Sequence, residues 1–417
     1  MPQPHNTLPD QTEPPTGDLP LVARDRFPLL RDKPGLVYLD SASSAQKPDC
    51  VIDRLTRFYT HEYANIHRGL YPLSEDASEA YDQARGRVAR FLGAAKDEII
   101  FTHNATEAIN LVAHAYGDNN LRPGDLILTS LLEHHANIVP WQLLKDRHRL
   151  RLAAIAIDDA GDLDLARYEM LLAREPKLVC VTAAANTIGT VTPLREIIAM
   201  AHRAGALVMV DAAQAAPHFR FDVRDLDCDF LAITGHKLYG PDGIGALYVK
   251  ETVLADLPPF MGGGGMIRSV GIEHTDYAEG PRRFEAGTPA IGAALAFATA
   301  LDFIGEIGFA GIAAHDAALA AYASQRLPEI AGLRIIGAPR KRIGILSFVM
   351  DGLHPHDIGT LLGESGVCLR AGHHCAQPLM EHLGITGTAR ISFGVHNTIH
   401  DVDRLVDSLA RVRQMLR

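Results

Sequence analysis

The chain has 417 residues, enough for two or three domains. Its 47% apolar and 22% charged content is ordinary for a globular protein, and its net charge of −10 disfavours nucleic acid or an anionic membrane as the main partner. Five cysteines without a CxxC pair favour free thiols in a reducing compartment, so we expect a cytoplasmic protein. We expect neither a membrane span, since no apolar run approaches roughly 20 residues, nor a secretory signal.

The chain divides by composition into four parts. Residues 1–20 are rich in proline and poor in apolar side chains, which predicts a disordered arm. We expect residues 21–35 to pack on a small domain, residues 36–290 to form a large domain, and residues 291–417 to form the small α+β domain. An Ala-rich segment after Pro289, 291–307, is interpreted as the helix that leads out of the large domain.

Strand and helix patterns alternate along the central part of the predicted large domain. A short strand at 37–40 and helices at 51–63 and 75–92 precede them. Strands are predicted at 98–101, 126–128, 152–157, 178–182, 206–210, 230–233 and 245–249. Helices are predicted at 106–116, 141–147, 165–173 and 194–204. This alternation predicts an α/β fold with a mostly parallel seven-stranded sheet covered on both faces. A glycine run at 262–265 is interpreted as a mobile loop near the site, and the small domain is predicted to hold strands at 333–336, 343–349 and 389–393.

Three polar side chains follow three successive apolar runs. Asn186, Asp211 and Lys237 come after the runs 178–185, 206–210 and 229–233. In a parallel sheet the carboxyl ends of the strands meet at one edge, where ligands bind. An amine, a carboxylate and an amide at that edge are what pyridoxal phosphate needs, with Lys237 forming an imine and Asp211 pairing with the pyridine nitrogen. Taken singly, the lysine could be a solvated charge and the aspartate a turn residue.

Further residues suit the same cofactor. A helix start at Ala105 and Thr106 offers backbone amides and a hydroxyl for a phosphate, with Thr234 and His236 closing the other side. Thr106 could instead be a plain helix cap.

The cofactor ring also needs partners. His134 or His135 can stack on its face, although both could be surface residues, and Gln214 with Asn186 can donate to its 3′-oxygen.

A second informative stretch, 370–378, reads Arg-Ala-Gly-His-His-Cys-Ala-Gln-Pro and predicts a loop. Cys375 lies there beside Arg370, His373 and His374, whose positive charge would favour a thiolate. A zinc site is the alternative, but we find no closing ligands in the same region and expect no metal. The other cysteines are interpreted as structural: Cys50, Cys180, Cys228 and Cys368.

Arg390 is a candidate clamp for a substrate carboxylate, since a planar guanidinium binds a carboxylate through two bonds. The alternative is a surface arginine, which is disfavoured because the neighbours of Arg390 along the strand alternate toward a core.

Together these motifs resemble the SufS-type (group II) cysteine desulfurases, in the class V aminotransferase group of fold-type I pyridoxal phosphate enzymes. The matching stretches run in family order and are 38–42, 64–69, 104–110, 133–142, 186–189, 211–214, 235–241, 284–289 and 370–378. His103, Thr234 and His396 depart from the usual arginine, serine and tyrosine of that group.

The resemblance implies roles for the residues. Lys237 is the imine lysine, Cys375 the nucleophile that carries a persulfide, and His134 stacks on the ring and is a candidate acid. Ring and phosphate contacts are implied for Asp211, Gln214, Asn186, Ala105, Thr106, Thr234 and His236. Substrate contacts are implied for Arg390, Arg370, Asn186 and His67. Thr288 resembles a residue that reaches the phosphate of a neighbouring subunit.

The resemblance also implies partners and a reaction. L-cysteine would become L-alanine, and a SufE- or SufU-like acceptor would take the sulfur for iron–sulfur cluster assembly. A homodimer is implied, and L-selenocysteine is a candidate second substrate. The rivals are a selenocysteine lyase, another class V aminotransferase or kynureninase-like hydrolase, and a non-enzymatic sulfur-binding scaffold. The Cys375 loop disfavours the aminotransferase and hydrolase, and intact Lys237 and Asp211 disfavour the scaffold.

Overall fold

The computed structural model describes residues 20–67 and 69–415, so the predicted proline-rich arm lies almost wholly outside the described residues. The strands are β1 (Val37–Tyr38), β2 (Ile99–Thr102), β3 (Leu126–Ser130), β4 (Arg151–Ile155), β5 (Leu178–Thr182), β6 (Leu207–Asp211), β7 (Phe230–Thr234), β8 (Gly245–Val249), β9 (Ile267–Val270), β10 (Thr275–Tyr277), β11 (Leu333–Ile336), β12 (Ile345–Met350), β13 (Val367–Cys368), β14 (Arg370–Gly372) and β15 (Thr388–Ser392). The helices are α1 (Pro28–Asp32), α2 (Asp49–Arg57), α3 (Pro72–Leu92), α4 (Ala105–Val112), α5 (Asp118–Asn120), α6 (Val139–His148), α7 (Leu165–Leu172), α8 (Leu194–Arg203), α9 (Val223–Leu226), α10 (Glu251–Leu254), α11 (Ile291–Ile307), α12 (Phe309–Arg326), α13 (Pro355–Glu364), α14 (Gln377–His382) and α15 (Ile399–Met415).

The large sheet has the strand order β2-β8-β7-β6-β5-β3-β4. The pairs from β7 to β4 are parallel, and β8 is antiparallel to both of its neighbours. Every residue of β2, β3, β5, β7 and β8 is buried, because helices cover both faces of such a sheet. The predicted α/β class and mostly parallel seven-stranded sheet are confirmed.

A second sheet, in the order β11-β12-β15-β14, is antiparallel throughout. Helices α13 and α15 pack against this part of the chain, and their apolar residues share a core with Phe348 and Ile391. The short strand β1 pairs in parallel with β13, and Val37 and Leu39 join the same core. The chain therefore contributes residues to the core of the small sheet before it forms the strands of the large sheet.

The segment before β1 contacts both parts of the protein. The amide of Val22 donates to the Val395 carbonyl at 2.9 Å, while the Phe27 ring lies 6.2 Å from that of Tyr239. Helix α11 packs on α2 and α3, and the turn at Gly308, with φ of 82°, separates it from α12. The domain limits given above stay a prediction.

Several elements differ from the sequence expectation. Helix α12 and the hairpin β9–β10 were not predicted, the first because its alanines give no clear apolar stripe and the second because its strands are short and mostly exposed. The expected loop 370–378 is a loop only at 373–376, since β14 precedes it and α14 follows. Within residues 20–67 and 69–415 no single helix is long and apolar enough to span a membrane, and one bent pair, α11 with α12, passes by length and composition only.

Candidate active site

The carboxyl ends of β2, β3, β5, β6 and β7 open onto one cavity of about 430 Å³. Most of the predicted site residues line it: Ala105, Thr106, His134, Asn186, Asp211, Gln214, Thr234, His236, Lys237, Arg370, Cys375 and Arg390. Two do not, since Thr288 and His67 are exposed and lie outside this lining. One cavity therefore joins strand ends of the large sheet to two strands of the small one.

Lys237 ends a short 3-10 turn, Gly235–Lys237, that follows β7 directly. The turn needs glycine, because a Cβ on Gly235 would lie 2.7 Å from Cγ2 of Ile244 and 2.9 Å from the Pro241 carbonyl oxygen. Burial lowers the pKa of the lysine to about 8, and Asp211 partly opposes this. A good fraction of the amine is therefore neutral near pH 8, as a nucleophile or base requires.

Asp211 is the last residue of β6 and is 5% exposed. Its Oδ1 accepts a hydrogen bond from the Ala213 amide at 2.9 Å. Burial raises the pKa of the carboxyl, while that amide and the charge of Lys237 lower it. A cation beside its other oxygen would stabilise the ionised form, and a protonated pyridine nitrogen is such a cation.

Three of the histidines that line the cavity are held neutral. Burial lowers the pKa of His134 and His374 to about 3 and that of His236 to about 4. His134 Nδ1 accepts from the Ala136 amide at 3.1 Å, so its Nε2 carries the proton and can donate. Neutral His134 is thus a hydrogen-bond donor and a weak acid.

The amino end of α4 forms one wall of the cavity. Its cap is Asn104, whose Oδ1 accepts from the Glu107 amide at 2.9 Å, so Thr106 is not the cap. The amides of Ala105 and Thr106 precede the first bond of the helix, from Ala108 to Asn104, and point out of its end.

Across the cavity, Thr234 Oγ1 is buried and has no hydrogen-bond partner among the described residues. Amides, hydroxyls and a helix end are the groups that bind a phosphate.

Arg390 is 1% exposed, so it is a buried residue and does not lie on the surface. Its guanidinium donates to the Asn186 carbonyl at 2.8 Å and to Asp40 Oδ1 at 3.1 Å. Arg370, in contrast, is exposed and donates to Ser43 Oγ. Two arginines at one end of the cavity create a site for an anion.

The loop 373–376, which carries Cys375 and is called the thiol loop, is fixed by residues that follow β3 and β5 of the large sheet. The His135 amide donates to the Cys375 carbonyl at 2.7 Å, and His135 Nε2 accepts from the Gln377 amide at 3.1 Å. Asn186 Nδ2 donates to the His374 carbonyl at 2.7 Å. These bonds seat Cys375 on the lining of the cavity that holds Lys237.

The sequence matches the family description "Aminotransferase class-V" over residues 37–405. The chain belongs to the class-V aminotransferase family. It is 46% identical to a cysteine desulfurase of Dickeya dadantii, covering 94% of this chain and 96% of that protein. It is 44% identical to a probable cysteine desulfurase 1 of Mycobacterium leprae, covering 95% of this chain but 66% of that longer relative.

A solved structure extends the similarity to the fold. The apo structure of a cysteine desulfurase from Thermococcus onnurineus NA1 superposes with a TM-score of 0.91 at 37% identity, covering 96% of this chain and 99% of that one. Enzymes of this class-V family depend on pyridoxal phosphate.

The residues present fit that cofactor. Besides Thr234 Oγ1, the buried Asn186 Oδ1 lacks a hydrogen-bond partner within 20–67 and 69–415. Buried polar atoms of proteins are seldom left unpaired, so polar atoms that line a cavity indicate a polar occupant. Asp211 for the ring nitrogen and the end of α4 for the phosphate complete the set.

Some residues of this class-V site escaped the sequence reasoning. Glu133, fully buried next to His134, accepts from Ser130 Oγ at 2.5 Å, Thr182 N at 2.9 Å and Asn137 Nδ2 at 2.7 Å. Burial raises its pKa to about 8, and its three donors oppose this. The only signal was its place in the motif 133–142.

Asp40 and Ser43, which hold the two arginines, also went unassigned. They lie in or beside the motif 38–42, far along the chain from their partners. The part of the chain that the structure describes holds no group of three or more His, Cys, Asp or Glu suited to a metal ion.

Proposed function

We propose that this class-V protein is a cysteine desulfurase, which converts L-cysteine to L-alanine and leaves a persulfide on Cys375. The observation that carries the proposal is the lining of one cavity by Lys237, Asp211 and Cys375. A lysine and a carboxylate at strand ends suit pyridoxal phosphate, and a thiol beside them has no use in amino-group transfer. The similarity to cysteine desulfurases at 44–46% identity supports the same reaction.

Each polar group of the cavity has a task in this proposal. When bound, pyridoxal phosphate supplies an electron-poor ring that stabilises negative charge on the substrate Cα. The Asp211 carboxylate keeps the ring nitrogen protonated, and the Thr234 hydroxyl and the end of α4 hold the phosphate. Lys237 Nζ takes the Cα proton, which its pKa of about 8 permits near neutral pH. His134 Nε2–H donates at the face of the ring.

Arg390 and Cys375 act on the substrate. The guanidinium, already oriented by Asp40 and Asn186, binds the substrate carboxylate and turns the substrate sulfur toward the thiol loop. The Cys375 thiolate attacks that sulfur and forms an S–S bond, while the substrate C–S bond breaks and its electron pair stays with carbon. Protonation of that carbon, together with the return of a proton from Lys237 Nζ to Cα, yields alanine.

Two variants test the reaction, with Cys368→Ser as the matched control because Cys368 is a half-buried thiol on neighbouring β13. Lys237→Ala should lose the visible absorbance of the bound cofactor and all turnover. Cys375→Ser should keep that absorbance but release neither sulfide nor persulfide from L-cysteine, while the control keeps wild-type rates. Desulfuration by Cys375→Ser at the wild-type rate would refute the assignment of the nucleophile.

The proposal includes a homodimer. Thr288 and His67 are exposed in the single chain, so they are free to complete a neighbour's cavity. Near His67, Tyr59 and Tyr63 are about 60% exposed with their rings stacked at 5.7 Å, and Leu70 is 96% exposed. Large exposed apolar groups in one segment are typical of an interface.

Light scattering should give twice the chain mass. Tyr59→Lys with Tyr63→Lys should give monomers with little activity. A fully active monomer would contradict the shared site.

The finer assignments are part of the same proposal. We infer a SufS-type (group II) enzyme in the cytoplasm, supported by the short Cys375 loop and five free cysteines. The enzyme would pass sulfur to a SufE- or SufU-like acceptor for iron–sulfur cluster assembly. Adding either acceptor should speed alanine release, and parallel assays with L-selenocysteine measure selenocysteine lyase activity. Equal rates with and without both acceptors would contradict this partner class.

A further inference from the structure

A second, smaller cavity is also lined by Lys237, and we call it the rear cavity. Its volume is about 10 Å³, room for one water molecule. It shares Ala42, Gln214 and Lys237 with the large cavity. An occupant of the rear cavity therefore lies next to side chains that also line the large cavity.

The rear cavity is polar. Ser41 and Gln214 both line it, and Ser41 Oγ and Gln214 Oε1 are buried without a hydrogen-bond partner in the described part of the chain. Lys237 contributes a third polar group. A cavity of this size with two to four polar partners meets the requirements for an ordered water.

The walls of the rear cavity are held in place by both domains. His218 lines the cavity, and its Nδ1 is hydrogen-bonded to Asp316 of α12. On another wall, Ser392 of β15 accepts the Ala42 amide at 2.9 Å. Such bonded walls cannot collapse onto the two unpaired oxygens.

We propose that the rear cavity binds one water, which donates hydrogen bonds to Gln214 Oε1 and Ser41 Oγ and accepts one from Lys237 Nζ. The water fixes which way the Gln214 amide faces. With Oε1 turned to the water, Nε2 faces the large cavity and can donate to a ring oxygen there. That consequence rests on the proposed function, because it needs the pyridoxal phosphate ring, whereas the water itself does not.

Filling the cavity tests the water. Ala45→Val adds methyl groups to an apolar wall and removes no polar partner. Ala201→Val is the matched control, because Ala201 is fully buried and lines neither cavity. Ser41→Ala is a milder variant that removes one partner of the water and keeps the space.

High-resolution crystal structures, with and without pyridoxal phosphate, should show a water peak within hydrogen-bond distance of Ser41 and Gln214. The peak should be absent from Ala45→Val. An empty rear cavity in the wild type would overturn the inference, even if the enzyme is fully active. Should Ala45→Val fail to fold, Ser41→Ala should show weakened density at the same place, and unaltered density there would count against the inference.

Equilibrium binding tests the consequence. Ala45→Val should bind pyridoxal phosphate about fivefold more weakly than the wild type, which corresponds to the loss of one hydrogen bond. Ala201→Val should bind it with the wild-type affinity. The 3-deoxy analogue lacks the ring oxygen and should bind Ala45→Val and wild type alike. An equal loss with both compounds would refute the positioning of Gln214. Wild type that binds no pyridoxal phosphate would instead contradict the proposed function.

Discussion

A buried histidine that departs from the family pattern makes the stability of this protein sensitive to acid. His396 is 0% exposed, and its ring lies 5.3 Å from that of Phe27. Burial lowers its pKa from 6.5 to about 3, and the nearby charges of Arg24 and His315 act in the same direction. The backbone of Tyr38 opposes this weakly.

The size of the effect follows from that pKa. Between pH 6.5 and about 3 the unfolded chain binds a proton at this histidine that the folded chain does not. The free energy of unfolding therefore holds its full value above pH 6.5 and falls as the pH drops toward 3. Over the whole window the free energy of unfolding falls by about 5 kcal/mol, and between pH 7 and pH 5 it falls by about 2 kcal/mol.

His396→Phe keeps an aromatic ring and removes the titration, as does His396→Tyr, which restores the usual residue of the group. Urea unfolding at pH 7, 6 and 5, followed by circular dichroism, gives the free energy of unfolding for each protein. Wild type should lose about 2 kcal/mol more than His396→Phe between pH 7 and pH 5. The exposed His61→Phe serves as control and should follow the wild type. Equal losses in wild type and His396→Phe would refute the reasoning.

Three further predictions concern buried polar contacts. Arg85→Met should lower the free energy of urea unfolding by about 3–5 kcal/mol. The change removes the cation that pairs at 2.6 Å with the Glu285 carboxylate, whose side chain is only 10% exposed. A loss below about 1 kcal/mol would contradict this. Glu133→Gln should lower the free energy of unfolding by about 1–3 kcal/mol. It should also change the fluorescence of Trp141, the single tryptophan, because Trp141 and Glu133 are both hydrogen-bonded to Asn137. An unchanged spectrum and stability would contradict the network. Arg390→Lys should raise KM for L-cysteine about tenfold or more without changing the cofactor absorbance, since lysine cannot bind a carboxylate through two bonds. An unchanged KM would exclude Arg390 as the clamp for the substrate carboxylate.

The sequence anticipates features that depend on neighbours along the chain. Asn186, Asp211 and Lys237 could be placed because each follows an apolar run, and parallel strands bring such positions to one edge. The burial of Arg390 was foreseen from the alternation of its neighbours.

Other features depend on contacts between distant segments. Nothing local to Arg390 indicates that Asp40, 350 residues earlier, will pair with it. Helix α12 was missed because its small residues spread around the helix and give no stripe.

The contacts between the large sheet and the loop that carries Cys375 also fix the backbone of that loop. His374 and Cys375 both adopt left-handed backbone conformations, with φ of 52° and 54°, which non-glycine residues rarely populate. Such backbone persists only where the surroundings fix it. Here the fixing bonds come from the large domain, from the amide of His135 and the side chain of Asn186. Any motion that separates the two sheets would break these bonds, so the backbone conformation of Cys375 depends on how the large and small sheets are arranged.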